Sequence, residues 1–230
     1  MLNRIFIAAL TLFSFVSATD VSGVISSNTT WSAASSPYIV TGNILVSEGV
    51  TLTIEAGVTV QLNNNAYILV QGELIAEGTS SNNITFDPFG KGIHFDVTAT
   101  DYDSTSNTGC RIKYANISNP TSGNFDPVIS GGWSSTHLVT GNYDNSSNTN
   151  YQVSISVSHS KIKDTHMLFT GWAGKQTNER SYFVNNVFIN GSLEGDNAPN
   201  FLVKNNIFLN SSFSTTSFDF KNNILDGCSI

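Results

Sequence analysis

From residue 38 onward the chain alternates apolar and polar positions in short blocks. Tyr38-Ile39-Val40, Ile44-Leu45-Val46, Val50-Thr51-Leu52-Thr53-Ile54, Val58-Thr59-Val60-Gln61-Leu62 and Ile68-Leu69-Val70 all follow this pattern. Gly42, Gly49, Gly57, Gly72 and Gly78 fall between the blocks, where turns belong. Alternation with a period of two predicts half-buried β-strands, and no stretch past the N-terminal leader sustains the 3.6-residue period of a helix. Short strands at such intervals suit a sandwich, a barrel or a solenoid. Internal repetition separates these three.

Three segments of the C-terminal third nearly copy one another. Val184-Asn185-Asn186-Val187-Phe188-Ile189-Asn190 is followed by Lys204-Asn205-Asn206-Ile207-Phe208-Leu209-Asn210, and then by Lys221-Asn222-Asn223-Ile224-Leu225-Asp226. Fainter echoes precede them at Asn116-Ile117-Ser118-Asn119 and Ser160-Lys161-Ile162-Lys163-Asp164. A repeat of about 20 residues matches one coil of a parallel β-helix and is too short for a propeller blade. The doubled asparagines fit that geometry. Asparagine tolerates the left-handed backbone of a tight bend, and a side-chain amide repeated every coil can donate to one neighbour and accept from the other.

The run Thr30-Trp31-Ser32 … Pro37-Tyr38-Ile39-Val40 … Gly49-Val50-Thr51-Leu52-Thr53-Ile54-Glu55-Ala56-Gly57-Val58-Thr59-Val60 resembles the opening of secreted right-handed parallel β-helix proteins of the pectin-lyase-like superfamily. Val70-Gln71-Gly72-Glu73-Leu74-Ile75-Ala76-Glu77-Gly78-Thr79, Ile84-Thr85-Phe86, Gly92-Ile93-His94-Phe95 and Ile112-Lys113-Tyr114-Ala115-Asn116-Ile117 continue it. The resemblance covers most of residues 24–120 and resumes at 153–228. It implies an all-β, right-handed parallel β-helix whose Val, Leu, Ile and Phe positions stack inward. Residues 19–37 are expected to cap the first coil, and residues 38–230 to form the coils. A polar excursion interrupts them at 96–109, a long projecting loop at about 120–151, and a smaller break at 170–180. The last segment carries no polar cap, and solenoids need both ends covered. End-to-end contact with a partner, or a C-terminal continuation of the chain, is the expectation there.

Residues 1–18 read as a secretory signal peptide: Arg4 opens it, Ile5 to Phe15 is apolar, and Val16-Ser17-Ala18 offers small residues for cleavage. That apolar run is shorter than the roughly 20 residues a membrane span needs, and no second one exists. Asn28, Asn83, Asn116, Asn145, Asn190 and Asn210 each precede a Ser or Thr by two positions and are glycosylation candidates in a secreted chain. Composition adds two exclusions. Ten Lys and Arg against 17 Asp and Glu leave a net charge of -7, which does not suit a nucleic-acid surface. A hydrophobic share of 40% with 15 Phe is too apolar for a disordered chain. Cys110 and Cys228 stand about five coils apart. At about 4.8 Å per coil that is roughly 24 Å, well beyond disulfide reach, so no disulfide is expected.

The resemblance implies enzymes that act on acidic polysaccharides, and each of their signatures has a counterpart to weigh in this sequence. A calcium-dependent lyase needs clustered aspartates and an arginine base. Asp96, Asp101 and Asp103 form the dense acidic group, with calcium as the ion they would hold, but their spacing lacks the ligand ladder of a calcium loop. Arg111-Ile112-Lys113 reads like the closing signature of polygalacturonase-like hydrolases. Paired aspartates and a Gly-His-Gly should precede it, whereas Ser158-His159-Ser160 comes after. Asp87-Pro88-Phe89-Gly90 shares only the first half of an epimerase motif, and Phe and Gly move no proton. His94, His137, His159 and His166 lack the spacing of metal ligands. Ice binding uses Thr-studded solenoid faces, yet the coils after Thr51, Thr53 and Thr59 carry Asn and Ser.

The expectation is a non-catalytic secreted or cell-surface scaffold that recognises glycans or partner proteins. Trp133, His137 and Tyr143 of the long loop are its candidate binding residues, because aromatic rings stack on sugar faces. The alternative is a polysaccharide lyase or glycoside hydrolase whose active groups go unrecognised.

Overall fold

A computed structural model describes residues 17–63, 65–119, 137–140, 153–170, 180–196, 201–215 and 218–229. They form a stack of short parallel strands. The first rung holds β1 (Thr19–Ile25) and β2 (Thr29–Trp31), and a 3-10 turn (Ala33–Ser35) leads on to β3 (Tyr38–Val46) and β4 (Thr51–Ile54). Above lie β5 (Thr59–Leu62), β6 (Ile68–Val70) and β7 (Glu73–Glu77), then β8 (Ile84–Phe89), β9 (Ile93–Phe95) and β10 (Arg111–Lys113). The next rungs hold β11 (Ala115–Ser118), β12 (Leu138–Thr140) and β13 (Ser156–Ser158), then β14 (Lys161–Lys163), β15 (His166–Thr170) and β16 (Ser181–Val184). The stack ends with β17 (Val187–Ile189), β18 (Ser192–Asp196), β19 (Phe201–Lys204), β20 (Ile207–Leu209), β21 (Ser212–Thr215), β22 (Phe218–Lys221) and β23 (Ile224–Asp226).

Pairing sorts these strands into three faces. Face one runs β3-β5-β8-β11-β14-β17-β20-β23, and face two runs β3-β6-β9-β12-β15-β18-β21. Face three runs β2-β4-β7-β10-β13-β16-β19-β22. Strand β3 is long enough to turn the corner, so faces one and two are hydrogen-bonded through it. Residues 19–37, expected as a cap, carry β1 and β2, which pair in parallel with β3 and β4 as a rung of their own.

Register turns the sequence alternation into stacks. On face one Tyr38, Val60, Phe86, Ile117, Ile162, Phe188, Phe208 and Leu225 succeed one another inward. All but Leu225, on the last rung, are buried. Toward the C-terminus the interior becomes aromatic, with Phe183 and Phe208 stacked at 6.0 Å and Phe169 and Phe201 at 4.1 Å. Apolar burial of this kind is the main favourable term in folding.

The doubled asparagines divide two tasks between them. The first of each pair turns the corner from face three to face one with positive φ: Asn185 at 59°, Asn205 at 56° and Asn222 at 53°, with His159 holding the same place one rung earlier at 54°. The second forms the ladder. Its Oδ1 accepts the backbone N–H of the residue one rung below: Asn186 from Ser160 (2.9 Å), Asn206 from Asn186 (2.8 Å) and Asn223 from Asn206 (2.9 Å). Its Nδ2 donates to the carbonyl of Val157, Phe183 or Val203. The ladder therefore runs mostly from side chain to backbone. Asn206 adds one amide-to-amide bond, to Asn223 at 2.9 Å.

The next corner, from face one to face two, repeats the scheme with Asp164, Asn190, Asn210 and Gly227 at positive φ. Behind them Thr165 and Ser211 each donate a hydroxyl to the carbonyl two residues back, and the Cys228 thiol does the same toward Asp226. Cys110 and Cys228 are both free.

Candidate functional site

Strands β10, β13 and β16 stand side by side on face three, with Ile112, Val157 and Phe183 pointing inward. Outward the register places Arg111 beside Ser156 and Tyr182, and Lys113 beside Ser158 and Val184. Two serines between two rungs of taller side chains leave a depression. The excursion at 96–109 walls one side of it. The result is an open cleft of about 280 Å³, lined among others by Tyr102, Asn107, Arg111, Lys113, His159 and Tyr182.

The wall is built by local hydrogen bonds. Asp103 and Thr108 exchange backbone bonds of 3.0 and 3.3 Å, and the Tyr102 N–H donates to the Ser154 carbonyl at 2.9 Å. Gly109 closes the excursion at φ 89°, against the Asp101 carbonyl where a Cβ would collide, and its N–H donates to Glu73 Oε1 at 3.0 Å. The ring of Tyr102 then meets that of Tyr182 edge-on, with centroids 5.6 Å apart. Tyr182 Oη donates to Ser104 Oγ (2.9 Å) and Tyr102 Oη to Asn107 Oδ1 (3.0 Å). Both rings are thereby held at the cleft.

Two cations line the cleft as well. Arg111 donates to the Gly109 carbonyl (2.9 Å) and to Glu77 Oε2 (3.3 Å), so its plane is fixed. Lys113 Nζ sits 5.6 Å above the ring of Tyr114, and the imidazole of His159 leans on the same ring at 4.9 Å. Partial burial, and then the charge of Lys113, hold the His159 pKa below its ordinary value. Asn185 Nδ2 donates to His159 Nε2 at 3.1 Å. The cleft thus offers two tyrosine rings, a hydroxyl floor and two cations.

Of the residues chosen from sequence, Asp96, Asp101, Asp103 and His137 do not line this cleft. Asp96 accepts from Gln71 Nε2 (2.9 Å) and Val97 N (2.7 Å), Asp101 from Ser154 N (2.7 Å), and Asp103 from Thr105 N (2.7 Å) and Ser106 Oγ (2.7 Å). The Ser106 hydroxyl and the Thr105 amide keep the Asp103 carboxyl below its usual pKa. These three carboxylates serve separate neighbours, and among the described residues no group of three His, Cys, Asp or Glu is arranged to hold a metal ion. His137 is buried on face two, where its Nδ1 accepts the His166 N–H at 3.1 Å. Trp133 and Tyr143 lie outside the described residues, as do Asn145 and most of the leader.

Of the other sequons, Asn28, Asn116, Asn190 and Asn210 are exposed and Asn83 is half-buried. Asn28 Oδ1 accepts from Thr51 N (2.9 Å), and Asn190 Nδ2 donates to Asp164 Oδ1 (3.2 Å). No helix among the described residues is long and apolar enough to cross a membrane.

Tyr102, Tyr182 and the grouping of Arg111, Lys113 and His159 escaped the sequence reading. A signal was present, because Arg111-Ile112-Lys113, Ser156-Val157-Ser158 and Tyr182-Phe183-Val184 share one outward-inward-outward pattern. Setting them on adjacent rungs brings the cleft together.

Residues 23–89 match the family described as "Pectate-lyase like beta helix domain". That match and the three-faced parallel stack agree with the pectin-lyase-like superfamily, whose right-handed parallel β-helix this chain shares. Neither a curated protein nor a solved structure matches the chain.

Proposed function

We propose that this protein is a secreted or cell-surface, non-catalytic β-helix scaffold that recognises glycans through the cleft on face three. The observation that carries this reading is the pair of fixed tyrosine rings, Tyr102 and Tyr182, beside a serine floor. Tyrosine rings present an apolar face to the C–H side of a pyranose and a hydroxyl to its edge. Ser156 and Ser158 supply donors and acceptors, and Arg111 and Lys113 supply donors only. Glu77 lines the cleft as well and is engaged by Arg111. The N-terminal leader and the exposed sequons support placing the chain outside the cytosol.

The test is a glycan array read with and without calcium, followed by titration of the best oligosaccharide and analysis of products. Binding without turnover is expected, and Tyr182→Ala should weaken it about tenfold, equivalent to about 1.4 kcal/mol. Unchanged affinity in a folded Tyr182→Ala protein would remove the cleft from consideration. Shortened or unsaturated products would replace the scaffold reading with an enzyme.

A further inference from the structure

The outer surface of face one changes character along the stack. One outward column reads Thr59, Thr85, Asn116, Lys161 and then Val187, Ile207, Ile224. Its neighbour reads Ser118, Lys163 and then Ile189, Leu209, Asp226. The early rungs are polar, as an exposed sheet face should be. One rung then carries two lysines. The last three carry five aliphatic side chains and a single aspartate, with Ile207 38% and Ile224 61% exposed. These residues point away from the core, so their burial in the stack does not explain them. A contiguous flat aliphatic array rimmed by charge is the pattern of an interaction surface.

We propose that this array is a self-association surface, on which a second copy of the chain docks face to face with its solenoid axis reversed. Charge placement selects that occupant. A two-fold axis parallel to the strands keeps each column opposite itself and reverses the order of the rungs. Val187 then meets the partner's Ile207, and Ile189 meets the partner's Leu209. Lys163, 3.3 Å from its own Asp164, meets the partner's Asp226, Lys161 lays its aliphatic stem along the partner's Ile224, and the symmetry makes each pair twice. Such a contact is isologous and closes at two copies.

The reversed arrangement also separates the two lysine pairs, whereas stacking the faces with axes aligned sets lysine against lysine. Four rungs at about 4.8 Å and two columns give a contact well below the roughly 800 Å² per partner of stable complexes. The dimer is therefore weak and concentration-dependent, with dissociation in the range of about 0.1 to 1 mM.

The test is sedimentation velocity on the full chain, prepared without N-linked sugars, over about a hundredfold range of concentration around that constant. The mean sedimentation coefficient is expected to rise from monomer toward dimer. Ile207→Lys should leave only monomer. Lys163→Asp should weaken association about tenfold through two repulsive pairs, and Lys163→Asp combined with Asp226→Lys should restore it. The charge variants keep the test decisive if Ile207→Lys disturbs the fold. A chain that stays monomeric throughout overturns the proposal, whatever else the array binds. So does an association that the Lys163→Asp and Asp226→Lys pair fails to rescue.

Discussion

Asn206 serves two neighbouring rungs with one buried side chain. Its Oδ1 takes the Asn186 N–H at 2.8 Å, while its Nδ2 gives to the Phe183 carbonyl at 2.8 Å and to Asn223 Oδ1 at 2.9 Å. Truncation to Ala leaves the buried Asn186 N–H without its acceptor, and such an orphan costs about 1–3 kcal/mol. Asn206→Ala should therefore lower stability by about 1–3 kcal/mol. The preceding asparagine answers to different physics. Asn205 is exposed and holds φ 56°, a conformation glycine reaches without a Cβ clash. Asn205→Gly should cost under about 1 kcal/mol. Guanidinium unfolding of the two variants checks the division of labour, and equal losses would refute it. The same chemistry explains why Cys228 is tolerated at the second corner, where its thiol takes the place of the Thr165 and Ser211 hydroxyls.

At the scale of strands, the inward column of face two runs Val46, Val70, Phe95, Thr140, Phe169, Gly195. A glycine amid such bulk needs a reason, and Phe218 provides it: a Cβ on Gly195 would fall inside that ring. Phe218 in turn meets Phe201 edge-on at 4.6 Å, and Phe201 stacks on Phe169 at 4.1 Å. Gly195→Val should displace the ring and cost about 1–3 kcal/mol, the range for overpacked cores. Adding Phe218→Ala should recover part of that loss, so the double mutant is more stable than the summed single effects. Strict additivity would show that the ring does not fill the gap.

Legibility in the sequence divides along the same line. Strand alternation and the Asn185-Asn186, Asn205-Asn206 and Asn222-Asn223 repeats depend on neighbours a few residues away, and they were readable. Gly195 against Phe218, or Tyr102 against Tyr182, depends on how many residues each coil spends between face two and face three. That number varies from rung to rung. The cleft was missed for this reason. Its parts lie within ordinary strand patterns, and only register brings Lys113, Ser158 and His159 together.

Taken whole, the molecule is held by stacked apolar columns and side-chain ladders, with few charges involved. Charged residues make up 12% of the chain, and ion pairs such as Arg111–Glu77 and Lys163–Asp164 are at least partly open to solvent. Pairs of that kind contribute about 0–1 kcal/mol and are screened by salt. A coupling of stability to pH sits in the core, at Cys110. Burial, followed by the charges of Glu73 and Asp101, pushes this thiol from 9.0 up to about 12. The folded protein keeps the proton throughout that window, whereas the unfolded chain releases it near 9.0. The unfolded state then binds fewer protons, so stability falls as pH rises, by about 1.4 kcal/mol per unit for this one group. Below the unfolded value both states are protonated and the group adds no slope. Tyrosines and lysines also titrate in alkali, so the informative quantity is a difference between proteins. Cys110→Ala should be less stable than the parent at pH 7, because it opens a small cavity. Its stability should decline less steeply above pH 9, so that the two proteins converge as alkalinity increases. Denaturant unfolding of both proteins at a series of pH values from neutral into alkali measures this directly. Parallel curves would mean that the Cys110 thiol ionises as readily in the folded protein as in the unfolded chain.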